Sequence, residues 1–180
     1  TIMDATIINA PSSRKNREKK RDPEMRSTKK HNQWYFGMKI HVGVDRDTKL
    51  AHSLVTTPAN VNENRMVRDL LHGNEKKVWG DTSYMGQGKV ISEKAPGAID
   101  LTQKKATRNR KLTEEEIARN RELSRTRVKV EHIFGVAKNI FGFAKVRYKG
   151  LEKNTNFAYV VFALSNLYMA RRHLLQPSVA

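Results

Sequence analysis

Trp34-Tyr35-Phe36-Gly37-Met38-Lys39-Ile40-His41-Val42-Gly43-Val44 alternates in its second half, breaks at Asp45-Arg46-Asp47-Thr48-Lys49, and resumes from Leu50 to Thr57. Two such runs around a polar turn read as a β-hairpin. Upstream, Ile2-Met3-Asp4-Ala5-Thr6-Ile7-Ile8 is a β-branched run holding a single acid, the pattern of a largely buried strand with Asp4 inside it. Downstream, Pro58 ends the hairpin. Asn62 is placed to cap a helix in which Met66, Val67, Leu70 and Leu71 recur at helical spacing until Gly73.

The pattern then changes. Lys77-Val78-Trp79-Gly80 is a short strand closing at Asp81, followed by a short helix around Gly86 to Glu93 and a strand near Ala98 to Leu101. Thr113-Glu114-Glu115-Glu116 forms a capping box. The helix it opens is expected to run, with a break near Ser124, to about Phe141, and a last helix covers roughly Asn156 to Leu174. The order β-β-β-α-β-α-β-α-α predicts one α/β domain over 1–176. Its mixed sheet would hold three antiparallel strands followed by parallel crossover units, with helices on both faces. That is the order of a ribonuclease-H-like fold.

With 35 Lys and Arg against 18 Asp and Glu among 180 residues, the formal charge is +17, so a polyanion is the expected partner. Much of the charge falls in two stretches read as basic loops, 14–33 and 102–112. Arg14 and Lys15 in the first, and Lys104, Lys105 and Arg108 in the second, are expected to contact nucleic-acid phosphates. An apolar content of 38% is enough for a folded core. The absence of cysteine excludes disulfides, thiolate zinc sites and cysteine nucleophiles. The longest apolar stretch, Phe157 to Ala170, is interrupted by Ser165 and Asn166 and is too short to cross a hydrocarbon layer of about 30 Å. No membrane partner is expected, and the bacterial cytoplasm, at the nucleoid, suits the charge.

In open sheets, sites gather at strand ends. Asp4 within the first strand and Asp81 closing the fourth are ordinary structural acids when taken singly, one on a strand edge and one at a turn. Glu131 changes the balance. It lies in Ser124-Arg125-Thr126-Arg127-Val128-Lys129-Val130-Glu131-His132-Ile133-Phe134-Gly135-Val136-Ala137-Lys138, where about 100° per residue puts Arg127, Glu131 and Lys138 within roughly 60° of one another. Val130, Ile133, Phe134 and Ala137 cover the adjoining half of the helix, so the acid borders a buried face. Three carboxylates without a cysteine, and without histidines at zinc-ligand spacing, suit a hard cation, Mg²⁺ with Mn²⁺ as substitute. Two such ions serve phosphodiester displacement. His41 and His52, on paired strands, read as structural or DNA-contacting rather than metal ligands.

Four stretches together carry a resemblance. They are Asp4-Ala5-Thr6 with Ala10-Pro11-Ser12-Ser13; Trp34 to His41 continuing to Thr57-Pro58-Ala59-Asn60-Val61; Gly80-Asp81-Thr82-Ser83-Tyr84; and Arg127-Val128-Lys129-Val130-Glu131 with Lys138. Over nearly its whole length the chain resembles the catalytic domain of a DDE transposase from a bacterial insertion sequence. In such enzymes the Glu lies in a Tyr-x2-Arg-x3-Glu-x6-Lys signature, and Ser124 stands here where the signature has Tyr.

The resemblance implies that Asp4, Asp81 and Glu131 are catalytic and hold two Mg²⁺ ions. Water would attack at the transposon end, and the freed 3′-hydroxyl would then attack target double-stranded DNA. Arg127 and Lys138 would hold phosphates, and Ser124 would keep a hydrogen bond to DNA without the stacking of a ring. It also implies a dimer or larger assembly on DNA. Such enzymes usually carry an upstream segment that recognises the element's ends, and only three residues precede Asp4 here, so this chain alone is expected to lack end specificity. Two other readings stay open: a catalytically incompetent remnant that only binds DNA, and a nuclease of the same fold acting on RNA or RNA–DNA hybrids.

Overall fold

The computed structural model describes residues 1–15, 17–30 and 32–176; positions 16 and 31 of the expected first basic loop lie outside the described residues. Strand β1 (Ile2–Asn9) pairs antiparallel with β3 (Gln33–Val44) from Ile2↔Val44 to Asn9↔Gly37. The opposite edge of β3 is shared end to end. Strand β2 (Arg26–Lys30) runs along Gln33 to Gly37, and β4 (Ala51–Pro58) runs along Met38 to Val44, both antiparallel. On the far side of β1, β5 (Lys77–Gly80) and then β6 (Ile99–Thr102) are added in parallel. The result is a mixed α/β sheet with β3 and β1 at its centre.

Alternation along the strands sends neighbouring side chains to opposite faces. Ile2 and Trp79 enter a core with Ile40, Val42, Ile133, Phe134, Val161 and Phe162, built against α3 (Glu114–Arg127), α4 (Glu131–Gly135) and α5 (Leu151–Leu174). Met3 and Val78 enter a smaller core with Val67, Leu70, Tyr84 and Ile91, against α1 (Val67–Leu70) and α2 (Gly88–Lys94). Helices therefore cover both faces.

Several local expectations need correction. The segment 26–30, read as part of a loop, is strand β2: it has no apolar run of its own and is exposed at four of its five positions, so only the unfilled edge of the long β3 holds it extended. Asn62 precedes a 3₁₀ turn, Glu63–Met66, and makes no side-chain cap hydrogen bond. The long helix is irregular at 128 rather than 124. A 3₁₀ turn, Val128–Val130, separates α3 from α4, and a π turn, Val136–Ile140, follows α4. The capping box of α3 forms as read, Thr113 Oγ1 accepting from the Glu116 N–H at 3.3 Å and Glu116 Oε2 from the Thr113 N–H at 3.1 Å. Gly142 takes φ +66°, the left-handed region that suits the exit from this helical run.

Candidate active site

Because β1 and β5 are adjacent and parallel, Asp4 and the residue that follows β5, Asp81, come together beside the sheet's centre. Asp81 caps a 3₁₀ turn, Thr82–Tyr84, and its Oδ1 accepts the Ser83 N–H at 2.7 Å, which fixes the carboxylate. Asp4 is buried. Its Oδ1 accepts the Ala5 N–H at 2.8 Å and its Oδ2 takes the Arg127 guanidinium at 2.6 Å. Burial raises the Asp4 pKa to about 6 despite the pull of Arg127, and the charges of Asp81 and Glu131 add to the rise.

The third carboxylate of the cluster is one the sequence did not single out. Oxygens of Asp4, Glu63 and Asp81 lie within 4.8 Å of one another. Glu63 opens the 3₁₀ turn after β4 and pairs with Lys39 of β3 at 3.2 Å, while Lys39 also donates to the Val61 carbonyl at 3.0 Å. An acid in the first turn after a strand ordinarily reads as complementing the helix N-terminus, so nothing in the pattern distinguished it. The three acids lie in a polar cleft of about 670 Å³ whose rim carries Lys29, Lys30, Lys39, Lys105 and Lys138.

Glu131 stands outside this group. It is exposed at the start of α4, beside a shallow groove with His132, Ile140 and Tyr168. The cause is local: a 3₁₀ turn advances about 120° per residue, so the stripe computed at 100° no longer holds across Val128–Val130. Glu131 nevertheless acts electrostatically on both Asp4 and Lys138. Arg127 and Lys138 both reach β1, Arg127 on Asp4 and Lys138 Nζ on Thr6 Oγ1 at 2.5 Å. Burial, with Lys30 nearby, lowers the Lys138 pKa while Glu131 opposes the shift.

Among the described residues, the buried Tyr84 hydroxyl and Arg127 Nε find no hydrogen-bond partner. Burial pushes the Tyr84 phenol well above its ordinary range, and the charges of Glu63, Asp4 and Asp81 push the same way.

Ser124 Oγ accepts from Gln103 Nε2 at 2.6 Å and donates to the Asn120 carbonyl at 2.9 Å, so its hydroxyl serves the protein interior. Lys104 pairs with Glu116 at 2.9 Å. Glu116 is held down to about 2 by hydrogen bonds from Arg110 and Lys104. Lys105 reaches the cleft rim, and Arg108 is exposed in the turn that Thr107 and Arg110 close. Arg14 and Lys15 are exposed between β1 and β2.

A second cluster able to offer metal-type ligands joins His52, His72 and Glu75. The two rings meet edge to face at 5.0 Å, and His72 Nε2 lies 3.4 Å from Glu75 Oε1.

An all-carboxylate donor set, with neither imidazole nor thiolate among its ligands, is the chemistry of a hard divalent cation. A mixed sheet, two aspartates brought together from adjacent parallel strands and a lysine-rimmed acidic cleft make this an α/β domain with a polar site at its strand ends. The chain belongs to the transposase DDE domain family, whose model matches residues 1–167. Among the described residues no helix is long and apolar enough to cross a membrane.

Proposed function

We propose that this domain cuts and joins DNA strands in transposition, as a divalent-metal-dependent phosphodiester transferase on a ribonuclease-H-like sheet. The observation that carries the reading is the meeting of Asp4 and Asp81 from the adjacent parallel β1 and β5 in a cleft ringed by lysines. The strand order β4-β3-β1-β5-β6, with the first three antiparallel and the last two parallel to β1, supports the ribonuclease-H-like topology.

Asp4 and Asp81, with Glu131 from α4, would hold Mg²⁺ or Mn²⁺, two ions in the full site. Bound there, the cation supplies stabilisation of the charge that develops on phosphoryl oxygens. The protein's own groups do the rest. The Ser83 N–H and the Ala5 N–H keep the two aspartates oriented. Arg127 neutralises Asp4, and with a cation held by the carboxylates its guanidinium would be free to hold a DNA phosphate. Lys138, with Lys29, Lys30 and Lys105 on the rim, holds the strand backbone across the cleft. Arg14, Lys15 and Arg108 extend the contact to duplex DNA without reading sequence, since phosphate contacts position rather than specify. Two DNA ends held for joining call for a dimer or larger assembly, at the bacterial nucleoid.

The test is nicking and strand transfer of a labelled, pre-cleaved end duplex at low salt with Mg²⁺, Mn²⁺ or chelator, for wild type, Asp81→Asn and Glu131→Gln. The expected result is metal-dependent product lost in both variants. Metal-independent binding with no product in either metal would overturn the reading.

A further inference from the structure

We propose that Glu63 is a further ligand of the divalent cation, the carboxylate that faces Asp4 and Asp81 across the cleft, with the Tyr84 hydroxyl as a donor to an oxygen the cation carries. The inference rests on the reading of the cleft as a divalent-cation site and goes beyond it in naming this ligand.

Three observations meet at this residue. The Glu63 carboxylate comes within 4.8 Å of both aspartates, whereas Glu131 does not join that group. Its turn packs directly on the Thr82–Tyr84 turn that follows Asp81, so the two segments fix one another's position. The fully buried Tyr84 hydroxyl, acted on by the charges of Glu63, Asp4 and Asp81, has no hydrogen-bond partner among the described residues. A buried hydroxyl left without a partner costs free energy unless something else meets it. A cation with its attached oxygens, placed between three carboxylates, would meet it.

Lys39 explains how the cluster stands without a cation. Its ammonium pairs with Glu63, as Arg127 pairs with Asp4, so each outlying acid has its own counter-charge. Three carboxylates this close repel strongly otherwise. Both cations sit where a divalent ion would take over their role.

Mn²⁺ binding to the full chain, read by calorimetry and by electron paramagnetic resonance of free Mn²⁺, tests the assignment without measuring activity. Glu63→Gln is expected to weaken affinity on the order of ten- to a hundredfold. Because that substitution leaves Lys39 without its partner, the paired variant Lys39→Met/Glu63→Gln is measured alongside it; it keeps the net charge of the site and should lose affinity to a similar extent. If both variants bind Mn²⁺ as wild type does while Asp81→Asn loses it, Glu63 is only the counter-ion of Lys39 and the proposal fails. If Asp4→Asn and Asp81→Asn also bind as wild type, the cation site itself is wrong and both readings fall together.

Discussion

Two clusters of potential ligands sit on this fold, and they differ in how their polar atoms are already used. In the His52–His72–Glu75 group, His52 Nδ1 meets Ser53 Oγ at 2.8 Å and Nε2 meets Thr1 Oγ1 at 3.0 Å. His72 Nδ1 accepts the Asn74 N–H, which places its ring proton on Nε2, facing Glu75. Glu75 accepts the N–H groups of His72 and Gly73. Every one of these ring and carboxylate contacts is internal, and the group acts as a clamp on the loop before β5. In the Asp4–Glu63–Asp81 group, three like charges crowd together, two buried polar atoms nearby stay unpartnered, and Asp4 is pushed up to about 6. Ligand types within reach mark both places; unspent hydrogen-bonding capacity marks only one of them as a site for something else.

The largest expected effect separates the clusters by function. Asp81→Asn should lower strand cleavage by about a thousandfold or more, several kcal/mol of lost transition-state stabilisation. Glu75→Gln should leave the rate per folded molecule unchanged, and single-turnover gels read both. A rate loss of similar size for Glu75→Gln would erase the distinction.

The next effect concerns protons. Burial, with Lys39 nearby, lowers His41 to about 4, so its neutral form belongs to the folded state; its contribution to stability is present above pH 6.5 and is lost as pH falls toward 4. Asp4 has the opposite sign: its pKa is raised, so its contribution is present below pH 3.8 and lost as pH rises through about 6. Each is worth about 3 kcal/mol over overlapping windows, with opposite sign. Relative to wild type between pH 4 and pH 7, urea unfolding should lose stability more steeply on acidification for Asp4→Asn and more steeply on alkalinisation for His41→Gln.

A similar effect is expected from the cation alone. Mn²⁺ at a hundred times its dissociation constant should stabilise wild type by about 2.7 kcal/mol in thermal melts. The gain should vanish in Asp4→Asn and persist in His72→Gln. The smallest effect sharpens the comparison from the other side. Glu75→Gln, which weakens the acceptor of two backbone N–H groups, should cost about 1–2 kcal/mol in urea unfolding with Mn²⁺ affinity unchanged.

Most of the sheet was legible because its strands carry their own burial pattern. Ile2 to Ile8, Met38 to Val44 and Lys77 to Gly80 announce themselves by β-branched and alternating residues, and the change to strand–helix alternation favoured parallel pairing, which falls beside β1. Strand β2 was hidden because its conformation comes from a neighbour's unpaired edge and not from its own side chains. Asp4 and Asp81 could be picked out as acids at strand ends. Glu63 could not, because its proximity depends on the path of the chain between β4 and β5. The helical stripe Arg127–Glu131–Lys138 was computed for an ideal helix, and the 3₁₀ and π turns within it sent Arg127 and Lys138 to β1 while leaving Glu131 exposed.

Strand β2 closes one margin of the sheet with Lys29 and Lys30, which also stand on the rim of the cleft. An unpaired margin invites another chain to add itself as a further strand, and lysine side chains make that addition unfavourable. The positive charge that suits this region to a phosphate backbone therefore also keeps copies of the protein from stacking edge to edge. If the proposed contact of these lysines with DNA phosphates holds, that neutralisation would relax the same protection wherever several such domains share one stretch of DNA.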